Sequence, residues 1–396
     1  MAQEILSGIK IVDFGTMFAA PMAATFLAEF GADVIHVEHP SGDAARLSEP
    51  RLNNVSLINK VLGRNKKLIT MDFHHQEAIE LFYDLVRDAD VVMTNYRPQA
   101  LKKFHLDYDD LVKIKPDLVM LSLTAYGRTG PYSERPGYDR LAQGFAGLTY
   151  FTGWPDRAPT LAGNWICDGI GGIASAYSVM LALYHKKCTG EGQLIDLALY
   201  DPLLRMMEDF VVDYSVTGHI KERCGNMNSS TAPNNMYKTK DGKWMIVLGN
   251  PQMWVRLCQA MGRMDLDENP KFHTNDARME NRDEIDQIVS DWCATMTMKE
   301  LDDILLQYDV AHGPVNSVED IFNDPHIWTR NSLVKMFDPE LNREITVQNV
   351  MPTMSKTPGK IKWPGGPIGA DNDEIFLDAL KLSPHRYRKL KEKGAI

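Results

Sequence analysis

The sequence predicts an α/β protein, with a large part built on a parallel sheet and a smaller α+β part. Three observations predict it. From residue 9 to about 127, short β-rich apolar runs alternate with runs of helical period. That alternation breaks near residue 220. Beyond the break, two apolar runs flank Asp241-Gly242, a strong hairpin signal.

IKIVDF (9–14) reads as a strand, AAPMAATFLAEFGA (19–32) as a helix ending in Gly31, and DVIHVE (33–38) as a second strand. Strand, helix and strand in that order form a βαβ unit, which implies parallel pairing. KKLITMDF (66–73), DVVMTN (90–95) and DLVMLSLTAYG (117–127) continue the strands, with helices at 75–89 and 108–116 between them. They empty into polar loops carrying Asn95, Gly127 and Gly130, and open parallel sheets bind ligands at that carboxyl edge. GGIASAYSVMLALYHKK (171–187) is apolar all round, which predicts a helix packed inside the protein. Asp168 and three glycines at its front, and His185-Lys186-Lys187 at its back, argue against a membrane span.

GQLIDLALY (192–200) is a further strand or a strand-helix junction and 202–218 a helix, followed by an Asn-, Ser- and Thr-rich stretch, 220–233, with the look of a linker. The hairpin 235–250 and helices at 252–262, 281–296 and 298–308 make the smaller part. Beyond Pro325, Pro- and Gly-rich turns lead to a last helical segment, 371–394, suited to packing back on other elements.

Of 396 residues, 44% are hydrophobic and 24% charged, which excludes a disordered or fibrous chain. A net charge of -10 argues against a general nucleic-acid binder, so an anionic ligand must be held by a local positive cluster. Five widely spaced cysteines give neither a disulfide framework nor a CxxC zinc site. A reducing compartment, the cytoplasm, is expected. The start, MAQEILSG, lacks a basic stretch before an apolar one and does not read as a secretory leader. GxxxxGK[ST], HExxH and GxSxG are all absent.

Asp168 stands before Gly169, Gly171 and Gly172 at a helix entrance, where free amides favour an ionised carboxylate. It is either an ordinary helix cap or a carboxylate nucleophile. A positive set flanks the strands: Arg64-Asn65-Lys66-Lys67, Asn95-Tyr96-Arg97 and Lys102-Lys103. Such a set clamps phosphates if it gathers at one rim, and is otherwise solvated surface. The loop 125–147, rich in Gly, Pro and aromatics, suits the wall of a cleft. Within it Tyr138-Asp139 is either an acid-base pair or a core tyrosine followed by an aspartate capping the next helix. His74-His75 reads as a solvated helix start, and Cys167 as a buried, inert thiol. Gly169-Ile-Gly171-Gly-Ile-Ala174, with Asp196 downstream, satisfies a dinucleotide fingerprint and leaves an NAD-dependent oxidoreductase open, although the preceding LAGNWICD is a poor strand.

At these residues the chain resembles the class III CoA-transferases, a family that includes formyl-CoA, carnitine and bile-acid CoA-transferases and the α-methylacyl-CoA racemases. The resemblance runs through KIVDFGTMFAAPMAATFLAEFGADVIHVEHPSGD, RNKK, ADVVMTNYRPQAL, LSLTAYGRTGPYSERPGYDRLAQGFAGL, CDGIGGIASAYSVMLALYHKKCTGEGQLIDLALYD and YKTKDGKWMIVL, in that order. It implies that Asp168 is the nucleophile and that Lys66, Asn95, Tyr96, Arg97 and Lys103 line the CoA cleft. It further implies a large Rossmann-like domain from both chain ends and two subunits interlocked as a homodimer. The boundaries expected are then 1–200 with 326–396 for the large CoA-binding domain, 201–224 for a linker and 225–325 for the small domain.

Departures narrow the activity. The family's racemases carry a His where this chain has Tyr138, which disfavours two-base racemisation. Leu248-Gly249-Asn250-Pro251-Gln252 replaces the glycine run of the formyl-CoA branch, and Phe18 replaces its Gln, making that wall more apolar. Phe18 and Tyr138 are therefore the expected substrate contacts. The resemblance implies CoA transfer from an acyl-CoA to a small carboxylic acid through an aspartyl intermediate. It implies no metal and no cofactor beyond the CoA substrate, and neither nucleic acid nor membrane as a partner.

Overall fold

Six β-rich runs pair side by side, every pair parallel: β1 Lys10–Asp13, β2 Asp33–Glu38, β3 Lys66–Thr70, β4 Val91–Thr94, β5 Val119–Thr124 and β6 Leu194–Ala198. The computed structural model, which describes residues 4–396, orders them β3-β2-β1-β4-β5-β6. All six match strands read from the sequence. This is the order of doubly wound nucleotide-binding sheets, and its winding reverses between β1 and β4.

Four helices matter for the site: α1 Ala19–Glu29, α2 Gln76–Asp88, α3 Asp139–Phe145 and α4 Ile166–Thr189. The central strands are apolar at successive positions because each face meets its own core. Ile11, Val91, Met93, Val119 and Leu121 pack with Ala24 and Leu27 of α1 and Val179 of α4. Val12, Val92 and Met120 turn the other way, toward Ile79, Phe82 and Val86 of α2. Ile375, Phe376, Tyr387, Leu390 and Ile396 complete that second core, so the end of the chain returns to the layer its beginning laid down.

The expectation for α4 needs correction. Its buried side, with Gly171, Gly172, Ser175 and Val179, approaches α1 so closely that a Cβ on Gly172 would lie 3.2 Å from the Ala19 carbonyl oxygen. The opposite stripe, Ile173, Tyr177, Met180, Leu181 and Tyr184, is exposed, Tyr177 to 64% and Tyr184 to 70%. By length and composition the helix also suits a membrane. An apolar sequence tells that a surface needs covering, but not what covers it.

Two compact units result. The larger comprises residues up to Leu148, Leu161–Asp213 and Trp328–Ile396; the smaller, Thr149–Thr160 and Tyr214–Ile327. These bounds differ from the expected ones. Residues 149–160 leave the large unit because Gly153 accepts from the Gly225 amide at 2.8 Å and the Tyr150 carbonyl from Arg223 at 2.6 Å. The expected linker, 201–224, carries the helices Tyr200–Met206 and Phe210–Thr217. In the small unit Asn234–Lys238 and Trp244–Leu248 form the hairpin around Gly242, whose φ of 80° suits glycine. His312–Pro314 adds a third antiparallel strand, over a core of Tyr237, Met245, Val247, Leu257, Val289 and Leu301.

Candidate active site

A pocket of about 270 Å³ opens where the winding of the sheet reverses. Thr16, Met17 and Phe18 after β1, Asn95, Tyr96 and Arg97 after β4, and Thr124 and Ala125 at the end of β5 form its floor and sides. Arg135, Tyr138 and Asp168 complete it. Asp168 is the only acidic side chain in this lining, among the described residues.

The turn after β1 is fixed from below. One Asp13 oxygen accepts from the Gly15 amide at 3.0 Å; the other lies 2.8 Å from His36 Nδ1 and 3.0 Å from Lys66 Nζ. Burial opposes a charge there, but Lys66 and His36 hold the Asp13 carboxyl well below the usual carboxylate range. Asn95 clamps the next residue at both ends, accepting from the Thr16 amide at 2.8 Å and donating to its carbonyl at 2.7 Å. Asp43 accepts from the Met17 amide at 3.1 Å.

The expected CoA-binding set is thereby divided. Asn95, Tyr96 and Arg97 reach the pocket, with Phe18 and Tyr138 opposite. Lys66 does not: its ammonium is buried on Asp13 and on the Pro21 carbonyl, 2.6 Å away. The rest of its run is equally occupied, Arg64 on Glu29 and the Gln348 carbonyl, Asn65 on the Lys360 carbonyl, and Lys67 on Asp33 and Glu374. This basic run staples the returning C-terminal segment instead of lining a rim. Lys103 stands outside the pocket, its ammonium 5.2 Å from the Phe104 ring centre beside a neighbouring depression that Tyr96 also lines. Tyr138 is not a core residue, being 69% exposed.

Asp168 is not the cap of α4. Trp165 holds that position without a side-chain hydrogen bond, and Asp168 is the third residue of the helix. The described hydrogen bonds give its carboxylate no donor; burial, followed by the nearby Asp139 charge, raises it to about 7. The expectation that helix amides hold it low is therefore overturned. Cys167 beside it is buried and pushed up to about 12, an unreactive thiol at neutral pH. The glycine fingerprint fails as well. Gly169 to Ala174 lie inside one continuous helix, not in the strand-to-helix turn that cradles a pyrophosphate.

Sequence reasoning missed Arg135 and Gln143. Arg135 lines the pocket and stacks on Tyr132 with its guanidinium carbon 3.7 Å from the ring centre, while Arg97 donates to the Glu134 carbonyl at 2.9 Å. A basic residue inside a loop already assigned to the cleft was the available signal. No group of three or more His, Cys, Asp or Glu is placed to hold a metal among the described residues.

The family model described as CoA-transferase family III matches residues 6–372 of this chain. The chain belongs to that family. It is similar to the succinyl-CoA–D-citramalate CoA-transferase of Chloroflexus aurantiacus, with 36% identity across 99% of this chain and 98% of the relative. It is similar also to the succinate–glutarate CoA-transferase of Agrobacterium fabrum, 32% identical across 94% and 95% of the two chains. Among solved structures, a CAIB/BAIF family protein from Brucella suis superposes with a TM-score of 0.85 at 31% identity, covering 96% of this chain and all of the other. This protein is thus a class III CoA-transferase.

Proposed function

We propose that this enzyme moves CoA from a succinyl-CoA-type donor to a small dicarboxylic acid, with Asp168 as the group that accepts acyl and CoA in turn. The observation that carries the assignment of Asp168 is its place as the lone carboxylate of a pocket at the sheet's switch point. The choice of dicarboxylic acids draws on relatives whose names specify D-citramalate and glutarate as partners of succinate or its thioester.

The Asp168 carboxylate attacks the thioester carbonyl, forming a mixed anhydride and releasing CoA thiolate. The thiolate attacks the aspartyl carbonyl, giving an aspartyl thioester and freeing the donor acid. The acceptor carboxylate displaces CoA to form a second anhydride, and the returning thiolate takes the acceptor's acyl group and restores Asp168. The anhydrides lie above the thioesters, but the overall exchange trades one thioester for another and is nearly thermoneutral. The steps need a bare carboxylate and a retained thiolate. Asp168 meets the first need, since none of the described hydrogen bonds reaches its carboxylate. Arg97 and Arg135 supply positive charge for CoA's phosphates. Phe18, packed edge-on to Trp165 at 5.2 Å, makes one wall apolar and limits water. The homodimer belongs to the same reading, supported by the exposed stripe on α4.

The test compares wild type and Asp168→Asn, with succinyl-CoA as donor and C4 and C5 dicarboxylic acids as acceptors. Loss of turnover by at least about a thousandfold is expected for removal of a covalent nucleophile. Hydroxylamine should trap a hydroxamate on Asp168 in the wild type alone. Turnover by the variant within tenfold of wild type overturns the assignment.

A further inference from the structure

Helix α4 begins without a cap of its own, and its first turn is held from outside. The Asp168 amide donates to Asp139 Oδ1 at 3.1 Å. The second Asp139 oxygen accepts from Gln143 Nε2 at 2.5 Å, one turn along α3. Gln143, wholly buried, also accepts from the Ala162 amide at 3.1 Å, and its amide nitrogen lies 3.4 Å from the Asn164 carbonyl. Two side chains of α3 therefore grip both ends of the segment that delivers Asp168. Asp139 is only 4% exposed and does not line the pocket.

We propose that Asp139, braced by Gln143, is a positioning residue for Asp168: it caps α4 from a neighbouring helix and sets a second acid behind the reacting one. The proposal rests on the reading of Asp168 as nucleophile. Capping an amide of the first turn uses the donor that would otherwise turn the Asp168 side chain back on its own helix. The Asp168 carboxylate is left free to face the thioester. Its partner's charge works in the same direction. A like charge at close range raises a carboxyl's basicity, and a more basic carboxylate is the stronger nucleophile. The other titratable or charged groups around Asp168 are Cys167 on its own helix, Tyr138 at the start of α3, and Tyr96, Arg97 and Arg135 around the pocket. None of these is a carboxylate.

The test is the pH profile of kcat/KM in wild type, Asp139→Asn and the double variant Asp139→Asn with Gln143→Glu. The double variant restores the hydrogen bond with donor and acceptor exchanged, and moves the charge farther from Asp168. Wild type should lose activity as pH falls through about 7. In both variants that limb should move down, by about half a unit or more in Asp139→Asn, which removes the like charge, and by less in the double variant, which only moves it away. In Asp139→Asn kcat should fall by about tenfold or more with the acyl-CoA KM changed less than threefold, and the double variant should regain most of it. A limb unmoved in the folded double variant, or a KM effect alone, overturns the proposal. Absence of a hydroxamate on wild-type Asp168 overturns the nucleophile reading and this one with it; a trapped hydroxamate with an unmoved limb overturns this one alone.

Discussion

Lys66 Nζ lies 3.0 Å from Asp13 Oδ2 with both side chains out of reach of solvent, beneath the turn that forms the pocket floor. Removing one member strands the other charge in the core. Lys66→Met should therefore cost about 3–5 kcal/mol in stability, and Asp13→Asn with Lys66→Met should recover most of it. Denaturant melts check the stability, and kinetics on the folded fraction should find the acyl-CoA KM within threefold of wild type. A well-folded Lys66→Met protein with a tenfold higher KM would return Lys66 to the ligand site.

Asp13 also sets a pH dependence. Its folded-state value is depressed, so its stabilisation is present above the ordinary carboxylate range and is lost as pH falls through that range and below. Asp168 has the opposite sign. Raised to about 7, it binds a proton in the folded state that the unfolded chain gives up near pH 4, so stability falls as pH rises between those values. Asp168→Asn should melt a few degrees above wild type at pH 8 and within about a degree of it at pH 4. Thermal scans at the two pH values decide it, and equal differences at both would contradict the burial seen here.

Arg97 and Arg135 are the two guanidinium groups around the pocket. Replacing either with Ala should raise the acyl-CoA KM by about tenfold, and the effect should shrink as salt screens the interaction. An unchanged KM at low salt would remove that residue from the CoA grip. Arg97→Ala should also loosen the loop at Glu134, whose carbonyl it holds.

The stripe Ile173, Tyr177, Met180, Leu181 and Tyr184 repeats at helical spacing along one side of α4. In the proposed homodimer this stripe would be covered, so a change of Leu181 to Lys or Tyr177 to Asp should lower the molecular mass in sedimentation from dimer to monomer, because a charge on a covered apolar face is costly. A wild-type protein that sediments as a monomer would contradict the homodimer.

The six strands and the hairpin at Asp241-Gly242 were legible because local pattern sets them: apolar β-rich runs and a turn dipeptide act within a few residues. Asn95, Tyr96 and Arg97 were legible through their places beside a strand end, Asp168 through its place at a helix entrance, and all four as a group through the family resemblance. Lys66 was not, since the charge of a side chain is written in the sequence but its partner is not. Whether Lys66 meets a phosphate or Asp13 depends on how β3 registers against β2, with Lys67 beside Ile35 and Val34 beside Lys66.

Sequence alone determined the kinds of element, their order and the presence of an acid at the entrance of an apolar helix. Tertiary structure decided which charges are spent in the core, which side of α4 faces away from the core, and that the cap for Asp168 comes from Asp139. Hydrogen bonds and ion pairs between residues far apart in the chain form only when packing brings them within reach, and no local spacing encodes that distance.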